Sequence, residues 1–460
     1  MHPESSRRTF LTNAGGLAAG TILSASALAS VHRSDDETIN VALIGCGGRG
    51  GGAAVNALSV KRGPMKLVAM SDVFVDKVES SYAALAGAKL PGAVDAPPER
   101  RFSGMESYKQ AMDCLRPGDI VILATPPAFR PVHFKYAIEK GLNVFMEKPV
   151  CVDGPSGRRM LELAKEAEKK GLKVAVGLMG RHSTGFKELA KRVQDGEMGE
   201  IVAQYGYRMQ GPVAKFRSTR TPAGLSEVEY QIQRFHSFLW ASGGAYNDFF
   251  IHIIDHLCWM KGAWPVLAQG NGGRNWRTGP DGQRYIDQNF DSYAVEYTYP
   301  DGTKMVFEGR NMDGCENRFS SMMVGTKASA IVSASGDYGA PSQICTSRDF
   351  SPGSKVWEST IPASEANPYQ NEWESYIDAV RDDKPYNEAP RGIESSLVCC
   401  MGRMAAHTGQ PITFDEMLAC EHDFAPGIAT LTLDGTAPVM PDANGDYPVP
   451  QPGVLIGREY

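Results

Sequence analysis

INVALIGCGGRGGGAAVNAL, residues 39–58, combines a strand pattern, a glycine-rich turn and a helix pattern in one short stretch. The opening run is mostly apolar, as in a buried strand, and helical character resumes after the glycines. Gly45, Gly47 and Gly50 fit the spacing GxGxxG, which binds a dinucleotide pyrophosphate in a strand–turn–helix unit. Gly45 permits the tight turn, Gly47 lets the backbone approach the phosphates, and Gly50 allows close helix packing. The stretch therefore predicts a dinucleotide-binding loop.

An acidic residue after the second predicted strand bears on the choice of cofactor. Asp72 follows Gly50 by 22 residues, where a carboxylate accepts hydrogen bonds from the adenosine ribose. Its negative charge should repel a 2′-phosphate, which favours NAD over NADP. Arg49 can reach a phosphate of either cofactor, so NADP stays open. Besides Asp72, the predicted cofactor-binding residues of the loop are Gly45, Cys46, Gly47, Arg49 and Gly50.

Strands and helices alternate along the first half of the chain. DIVILA at residues 119–124 and NVFM at residues 143–146 are apolar runs, and each is followed by a turn. A helical stretch over residues 132–140 separates them and ends at Gly141. This alternation predicts a parallel, doubly wound sheet.

The first thirty residues have the composition of an export signal. Arg7 and Arg8 lie in a polar, basic start, and a mildly apolar run over residues 14–29 follows. SRRTFL at residues 6–11 resembles the twin-arginine motif, which is read by the twin-arginine translocase. The run is too short and too rich in small polar residues for a membrane span of about 20 apolar residues. We therefore expect a periplasmic or secreted protein that is exported folded.

Composition excludes some function classes. The chain has 460 residues and a formal net charge of −6, so no basic footprint indicates a nucleic-acid partner. Nine cysteines occur without a CxxC pair, which gives no zinc motif. A chain that folds in the reducing cytoplasm can keep such cysteines as free, buried thiols. We predict mostly free cysteines and no metal site.

Several stretches together resemble one enzyme family. DIVILATPPAFRPVHFKYAIEKGLNVFMEKPV at residues 119–150 resembles the Rossmann domain of the Gfo/Idh/MocA oxidoreductases, which carries a TP turn and then an EKP motif. Residues 180–202, 238–262 and 371–416 are similar to the second domain of that family, in its secreted bacterial branch. The resemblance spans most of residues 39–420. It implies a second domain with a large, mostly antiparallel open sheet, whose outer face often mediates homo-oligomerisation.

The predicted fold class is therefore α/β, with an N-terminal Rossmann sheet and a C-terminal α+β domain. The tail after Phe424 is rich in Pro, Gly and Asp, which is typical of an arm that lies over the surface. The predicted division is a signal peptide at 1–30, a linker at 31–38, an NAD-binding domain at 39–178, a substrate and oligomerisation domain at 179–424, and a C-terminal arm at 425–460.

Oxidation of a secondary alcohol sets the chemistry that the site must supply. When hydride leaves for nicotinamide, the hydroxyl proton must leave as well, so a base and a donor to the developing alkoxide are needed. Glu147 and Lys148 follow a predicted strand, at the edge where such sheets bind ligands. The resemblance implies that Lys148 contacts substrate and cofactor and that Glu147 lies near the nicotinamide. It also places the TP turn, Thr125 and Pro126, at the cofactor.

The helix predicted after Gly244 carries the remaining candidates. Asp248, His252 and Asp255 fall in one sector of the helical wheel, and apolar residues cover the opposite side. Asp248 and His252 are four residues apart, hence neighbours, and match the family's DxxxH pair. The resemblance implies that His252 is a general base or acid and that Asp248 binds a substrate hydroxyl and orients the imidazole. A buried Asp–His pair with a purely structural use is the alternative.

The sequence thus predicts an exported NAD-dependent oxidoreductase that holds its cofactor tightly and acts on a sugar or cyclic polyol. One alternative is a redox-neutral, NAD-dependent glycosidase or lyase of the same superfamily. Another is a non-catalytic sugar-binding protein. Weaker candidates for the cofactor or substrate site are His133, Arg181, His182, Tyr207, Trp240, Tyr246 and Trp276.

Overall fold

The computed structural model describes residues 35–275, 277–279 and 282–460. The predicted signal peptide and the first half of the predicted linker lie outside these residues, as does Trp276. Within the described ranges, no helix has both the length and the apolar character that crossing a bilayer requires.

The first sheet is parallel and doubly wound, as predicted. Its strand order is β3-β2-β1-β5-β6-β7, with β4 beside β2, and all its pairs are parallel. The strands are β1 (Ile39–Ile44), β2 (Met65–Asp72), β3 (Ala93–Val94), β4 (Arg101–Ser103), β5 (Ile120–Leu123), β6 (Asn143–Met146) and β7 (Val174–Val176). The helices are α1 (Gly48–Leu58), α2 (Val75–Gly87), α3 (Ser107–Asp113), α4 (Arg130–Glu139) and α5 (Gly154–Lys169).

The second sheet has nine strands and is mostly antiparallel, which confirms the expectation for this half. The strands are β8 (Ile201–Gln210), β9 (Leu267–Gly273), β10 (Ser292–Thr298), β11 (Lys304–Asn311), β12 (Arg318–Gly325), β13 (Ser329–Ser333), β14 (Gln343–Cys345), β15 (Lys355–Glu358) and β16 (Ile412–Thr413). Their order is β15-β14-β13-β12-β8-β11-β10-β9-β16, and the β8–β11 pair is parallel. The helices of this half are α6 (Thr184–Gln194), α7 (Glu227–Gln233), α8 (Leu239–Ser242), α9 (Gly244–Lys261), α10 (Pro368–Arg381), α11 (Ala389–Thr408) and α12 (Phe414–Ala419).

Helix α9 packs closely on one face of the second sheet. A Cβ atom placed on Gly206 of β8 would lie 2.6 Å from Ile253, and one on Gly309 of β11 would overlap the ring of Phe250. Helix α11 packs against α9 and against strands β9 and β10 of the same sheet. Because the sheet and α11 both contact α9, this helix is a rigid platform for the polar residues it carries.

Helix α10 returns to the first sheet, although it follows eight of the nine strands of the second. Trp373 stacks on Phe145 of β6 with ring centroids 4.4 Å apart. Tyr376 and Ile377 join the same apolar cluster, and all of these side chains are buried. The core of the first sheet is therefore completed by residues from the far end of the chain.

The C-terminal arm, residues 425–460, is ordered and only partly superficial. Ala437, Val439 and Tyr447 are buried in a cluster with residues of α7 and α8. Glu459 is 3% exposed and binds the fully buried Arg403 of α11 through two hydrogen bonds of 2.8 Å. All nine cysteines are free, as predicted, and six of them are buried.

Candidate active site

A cleft of about 350 Å³ opens at the carboxyl ends of strands β1, β2 and β5. Ligands of open parallel sheets bind at this edge. The cleft is lined by residues predicted for the cofactor, namely Gly45, Gly47, Asp72, Thr125 and Pro126. His133, a weaker candidate, also lines it and lies 3.1 Å from the Thr125 hydroxyl through Nδ1.

The three glycines of the loop meet different demands. Gly45 has φ +96°, and a Cβ atom there would lie 2.7 Å from the carbonyl carbon of Ala124 on the neighbouring strand. A Cβ atom on Gly50 would overlap the carbonyl oxygen of Gly45. At Gly47, which precedes α1, a Cβ atom would meet no heavy atom within 4 Å in the described structure. Gly45 and Gly50 are therefore needed by the fold, whereas the space at Gly47 is open to a ligand.

Asp72 is fixed at the end of β2 by the loop itself. Its carboxylate accepts hydrogen bonds from the backbone N–H groups of Cys46, at 2.8 Å, and Phe74, at 3.0 Å. Burial raises the pKa of Asp72, and the nearby Lys77 opposes that shift. Lys77 also lines the cleft. The oriented carboxylate lines the cleft, and its contact with the adenosine ribose of a dinucleotide stays a prediction.

The opposite wall of the cleft comes from the second half of the chain. We call residues 211–238, between β8 and α8, the cover segment. Its residues Lys215, Gln233, Phe235 and His236 line the cleft. A ligand in the cleft would thus be held between the glycine loop and the cover segment.

Lys148 and Asp248 meet beside this cleft. Nζ of Lys148, which follows β6, donates to the backbone oxygen of Asp248 at 2.6 Å and lies 3.3 Å from its Oδ1. The other carboxylate oxygen of Asp248 lies 3.5 Å from Nε2 of His236. Asp248 is therefore held between a lysine of the first half and a histidine of the cover segment.

His252 lines a second cavity, of about 410 Å³, one helical turn along α9 from Asp248. Arg208, Tyr338 and Tyr369 also line it. Burial lowers the pKa of His252 well below its usual value, and the positive charges of Lys148 and Arg208 lower it further. Within the described part of the chain, the buried hydroxyl of Tyr338 has no hydrogen-bond partner. Such a group favours a polar ligand in this cavity.

The structure places Arg49 differently from the prediction. Its Nε donates to Glu147 at 2.7 Å, and its guanidinium stacks on Tyr369 at 4.6 Å from the ring centroid. Arg49 thus turns from the phosphate loop towards the second cavity, because the buried carboxylate of Glu147 requires a cation. Cys46 is buried, and its backbone N–H is occupied by Asp72.

Residues 39–178 match the family model GFO_IDH_MocA, described as an oxidoreductase family with an NAD-binding Rossmann fold. The match covers about a third of the chain, namely the first sheet with its glycine loop. The first sheet and the glycine loop are thus similar to the NAD-binding Rossmann domain of that family.

Curated relatives carry dehydrogenase names. An inositol 2-dehydrogenase of Corynebacterium glutamicum is 33% identical over 114 residues, which are 25% of this chain and 32% of that protein. An inositol 2-dehydrogenase of Pseudarthrobacter chlorophenolicus is 25% identical over 249 residues, which are 54% of this chain and 61% of that protein. The alignments thus span less than two thirds of either relative.

The whole fold is also similar to that of a solved structure. A levoglucosan dehydrogenase in complex with NADH and levoglucosan superposes with a TM-score of 0.62 and 15% identity, over 82% of this chain and 100% of that one. This likeness concerns the fold alone.

The resemblance implied that Asp248 orients the His252 imidazole, with a purely structural Asp–His pair as the alternative. Among the residues that the structure describes, no hydrogen bond joins the two side chains; Nζ of Lys148 lies 3.3 Å from one carboxylate oxygen of Asp248, and Nε2 of His236 lies 3.5 Å from the other. Asp255, in the same sector of the helix, pairs with Arg181 at 2.7 Å and with Ser395. Only Asp248 and His252 of that stripe remain at the candidate site.

The weaker candidates mostly have structural partners. His182 lies 3.2 Å from Glu388, and Tyr207 stacks under Arg318 at 3.4 Å. Trp240 and Tyr246 are fully buried in the core.

The sequence did not indicate three residues of the candidate site, namely Arg208, His236 and Tyr338. Each comes from a strand or loop with no local motif, and each reaches the site only through the packing of the second sheet. For His236 the one available indication was a histidine just ahead of the helix that carries Asp248.

Proposed function

We propose that this protein is an exported, NAD-dependent oxidoreductase that acts on a sugar or cyclic polyol and retains its cofactor. The observation that carries the proposal is the Lys148–Asp248 contact, which links a residue at the end of β6 to the helix α9 that carries His252. His236, on one side of Asp248, lines the cleft, and His252, one turn along α9, lines the cavity. Such a junction brings a substrate in the cavity close to a cofactor in the cleft.

The residues at the junction can handle the charges of alcohol oxidation. NAD bound in the cleft supplies a hydride acceptor. Nζ of Lys148 donates to the substrate oxygen and stabilises the negative charge that develops there. His252 is neutral at neutral pH because its pKa is lowered, so it can accept the hydroxyl proton. Asp248 keeps the Lys148 ammonium in place.

The second cavity suits a ring with several hydroxyl groups. The Tyr338 hydroxyl and the Arg208 guanidinium offer hydrogen bonds, and the ring of Phe319 offers an apolar face. The guanidinium of Arg208 is held over Phe319 at 4.5 Å and over Phe249 at 4.8 Å from the ring centroids. Relatives named for inositol and levoglucosan support this substrate class.

The cover segment supports a retained cofactor, because the C-terminal arm fastens it from outside. Gln231 donates to the backbone oxygen of Val439 at 2.8 Å, and Ser226 donates to that of Leu433. Glu227 accepts a hydrogen bond from Tyr447. Release of NAD would require these contacts to open. A protein exported through the twin-arginine route, to a compartment without NAD synthesis, would need such retention.

Two measurements test the proposal. Protein purified from the periplasm should release NAD(H) on denaturation, detected by mass spectrometry. The folded, NAD-loaded protein should show the absorbance of reduced nicotinamide when it is mixed with a substrate from a panel of inositols, aldoses and anhydrosugars. Cleavage of aryl glycosides without lasting reduction would favour the redox-neutral alternative. Absence of both bound cofactor and turnover would overturn the proposal.

A matched pair of variants tests retention. Gln231→Ala removes a contact between the cover segment and the arm, and we expect bound NAD to be lost faster during dialysis. Thr430→Ala is the control, because its hydroxyl bonds only to Gly427 within the arm. Equal loss from both variants and the unsubstituted protein would count against retention by the cover segment.

A further inference from the structure

His236 has a position that no sequence motif indicated. It belongs to the cover segment, lines the cofactor cleft, and directs Nε2 at the free carboxylate oxygen of Asp248. Its ring is fixed by aromatic neighbours, tilted on Phe235 at 3.8 Å and edge-on to Phe216 at 5.1 Å between centroids. A ring held in this way has one orientation towards Asp248.

The charge state of His236 decides what it offers to the carboxylate. Burial lowers its pKa to about 4; Asp248 opposes that shift, and the cations Lys148, Lys215 and Arg234 reinforce it. The imidazole is therefore neutral at neutral pH and carries one N–H. Because Nε2 faces a carboxylate, that nitrogen carries the hydrogen. Nδ1 is buried and has no hydrogen-bond partner in residues 35–275, 277–279 and 282–460.

We propose that His236 is a positioning residue for the reaction, which holds Asp248 against Lys148 from the wall of the cofactor cleft. The inference rests on the proposed function. Asp248 has two oxygens, and Lys148 engages one of them. The Nε2–H of His236 points at the other oxygen and limits rotation of the Asp248 carboxylate. The Lys148 ammonium therefore keeps its position beside Asp248.

The distance between Nε2 of His236 and the Asp248 carboxylate fits a contact that tightens when a ligand is bound. At 3.5 Å, the Nε2–Oδ2 contact is long for a hydrogen bond. Catalytic hydrogen bonds are often long in ligand-free enzymes and shorten in the complex. His236 lines the cleft, so a bound cofactor would lie against the wall that carries it. His252 lacks this position, because it lines the other cavity.

Three variants separate positioning from plain packing. His236→Ala removes the donor, and His236→Gln restores an N–H near the place of Nε2 with a side chain of similar length. His422→Gln is the matched control, since His422 also packs against aromatic rings, Phe424 and Tyr460, but lies outside the site. Thermal unfolding midpoints show whether each variant folds.

With a substrate found in the panel, we expect His236→Ala to lower kcat about 10-fold to 100-fold, the scale of a misplaced catalytic group, with KM changed less. His236→Gln should recover most of kcat, and His422→Gln should match the unsubstituted protein. Equal losses in His236→Ala and His236→Gln, or no loss in either, would overturn the inference.

A second readout does not need turnover. Modification of Lys148 by an amine-reactive reagent, followed by mass spectrometry on the NAD-loaded protein, should be several-fold faster in His236→Ala and near normal in His236→Gln. If no polyol is oxidised by the unsubstituted protein, the proposed function fails while this labelling still decides the role of His236. Unchanged labelling in His236→Ala would reject it.

Discussion

The Lys148 ammonium lies 3.3 Å from the Asp248 carboxylate, although 100 positions of the chain separate the two residues. One follows the fourth long strand of the first sheet, and the other lies on the helix that packs on the second. The contact thus joins the cofactor-binding half to the half that forms the second cavity.

Removal of the Lys148 ammonium or of the His252 imidazole should lower catalytic turnover while the protein still binds NAD. We expect Lys148→Ala and His252→Ala each to lower turnover about 10²-fold or more, the scale of general acid–base catalysis. Bound NAD and the unfolding midpoint should change little. Because His252 has a lowered pKa, activity of the unsubstituted protein should persist below pH 6.5. Lys191→Ala, at an exposed ion pair with Asp195, is the control.

The double variant adds a check on cooperation. Residues that act as one unit show losses that are much less than additive. Fully additive losses would indicate that Lys148 and His252 act independently, and near-normal turnover in both single variants would exclude them from the mechanism.

Alanine in place of Gly47 should affect NAD binding, whereas alanine in place of Gly50 should affect stability. Gly47→Ala should fold with an unchanged unfolding midpoint, because a Cβ atom there meets no heavy atom of the described residues within 4 Å, and should bind NAD more weakly. Gly50→Ala should lower the midpoint, because its Cβ atom overlaps the Gly45 carbonyl. Calorimetric unfolding and NAD titration give both results. Normal NAD affinity in Gly47→Ala would place the phosphates elsewhere.

Asp72 should set the preference for NAD. Asp72→Ala removes the charge that repels a 2′-phosphate, so we expect weaker NAD binding and about 10-fold less discrimination against NADP. Asp72→Asn separates the effects, since an amide oxygen can still accept from Cys46 or Phe74 while the charge is gone. Equal affinity of the unsubstituted protein for both cofactors would contradict this role.

Acid should unfold the protein partly through Glu459. Burial by itself would raise the pKa of Glu459, but Arg403 and His407 outweigh it and lower the pKa to about 2. A depressed carboxyl pKa stabilises the fold above the unfolded value of about 4.3, and this contribution is lost as the pH falls towards 2. Glu459→Gln should therefore unfold more easily at pH 7, by about 3–5 kcal/mol, because Arg403 stays buried without its counter-charge.

The free energy of unfolding of Glu459→Gln should approach that of the unsubstituted protein as the pH falls from 4.5 to 2. Urea unfolding at each pH measures this difference. Glu358→Gln, at an exposed ion pair with Lys355, should behave like the unsubstituted protein at every pH. A constant difference across this range would show that the charge of Glu459 is not responsible.

Export should depend on the arginine pair. Replacing Arg7 and Arg8 with lysine should leave a folded, NAD-loaded protein in the cytoplasm, because the translocase reads the pair as an address. Cell fractionation measures this outcome. Unaltered secretion of that variant would mean that the protein leaves by another route.

Local patterns predicted the first half of the fold well. The bounds of β1 and β6 agree with the predicted residues 39–44 and 143–146, because buried parallel strands are short apolar runs that end in turns. The loop glycines followed from the same local pattern. These features depend on neighbours in sequence, which a single sequence displays.

Contacts between distant segments could not be predicted in the same way. Spacing placed Asp248 and His252 on one face of a helix, but the carboxylate of Asp248 meets Lys148 and His236, which no helical spacing relates to it. Arg49 and Glu147 were both expected at the cofactor, yet their own ion pair turns Arg49 away from the phosphate loop. In both cases the partner of a charged side chain is an oppositely charged or polar group that tertiary packing brings close.

The stacking of Trp373 on Phe145 has a consequence for the order of folding. Helix α10 covers strands of the first sheet, so this cluster closes only after strands β8 to β15 of the second sheet have been synthesised. Pairings of such high sequence separation slow folding and leave apolar surface exposed meanwhile. During synthesis, part of the apolar core of the nucleotide-binding half therefore stays exposed to solvent until α10 is made. A chaperone that covers this surface would raise the yield of the native protein.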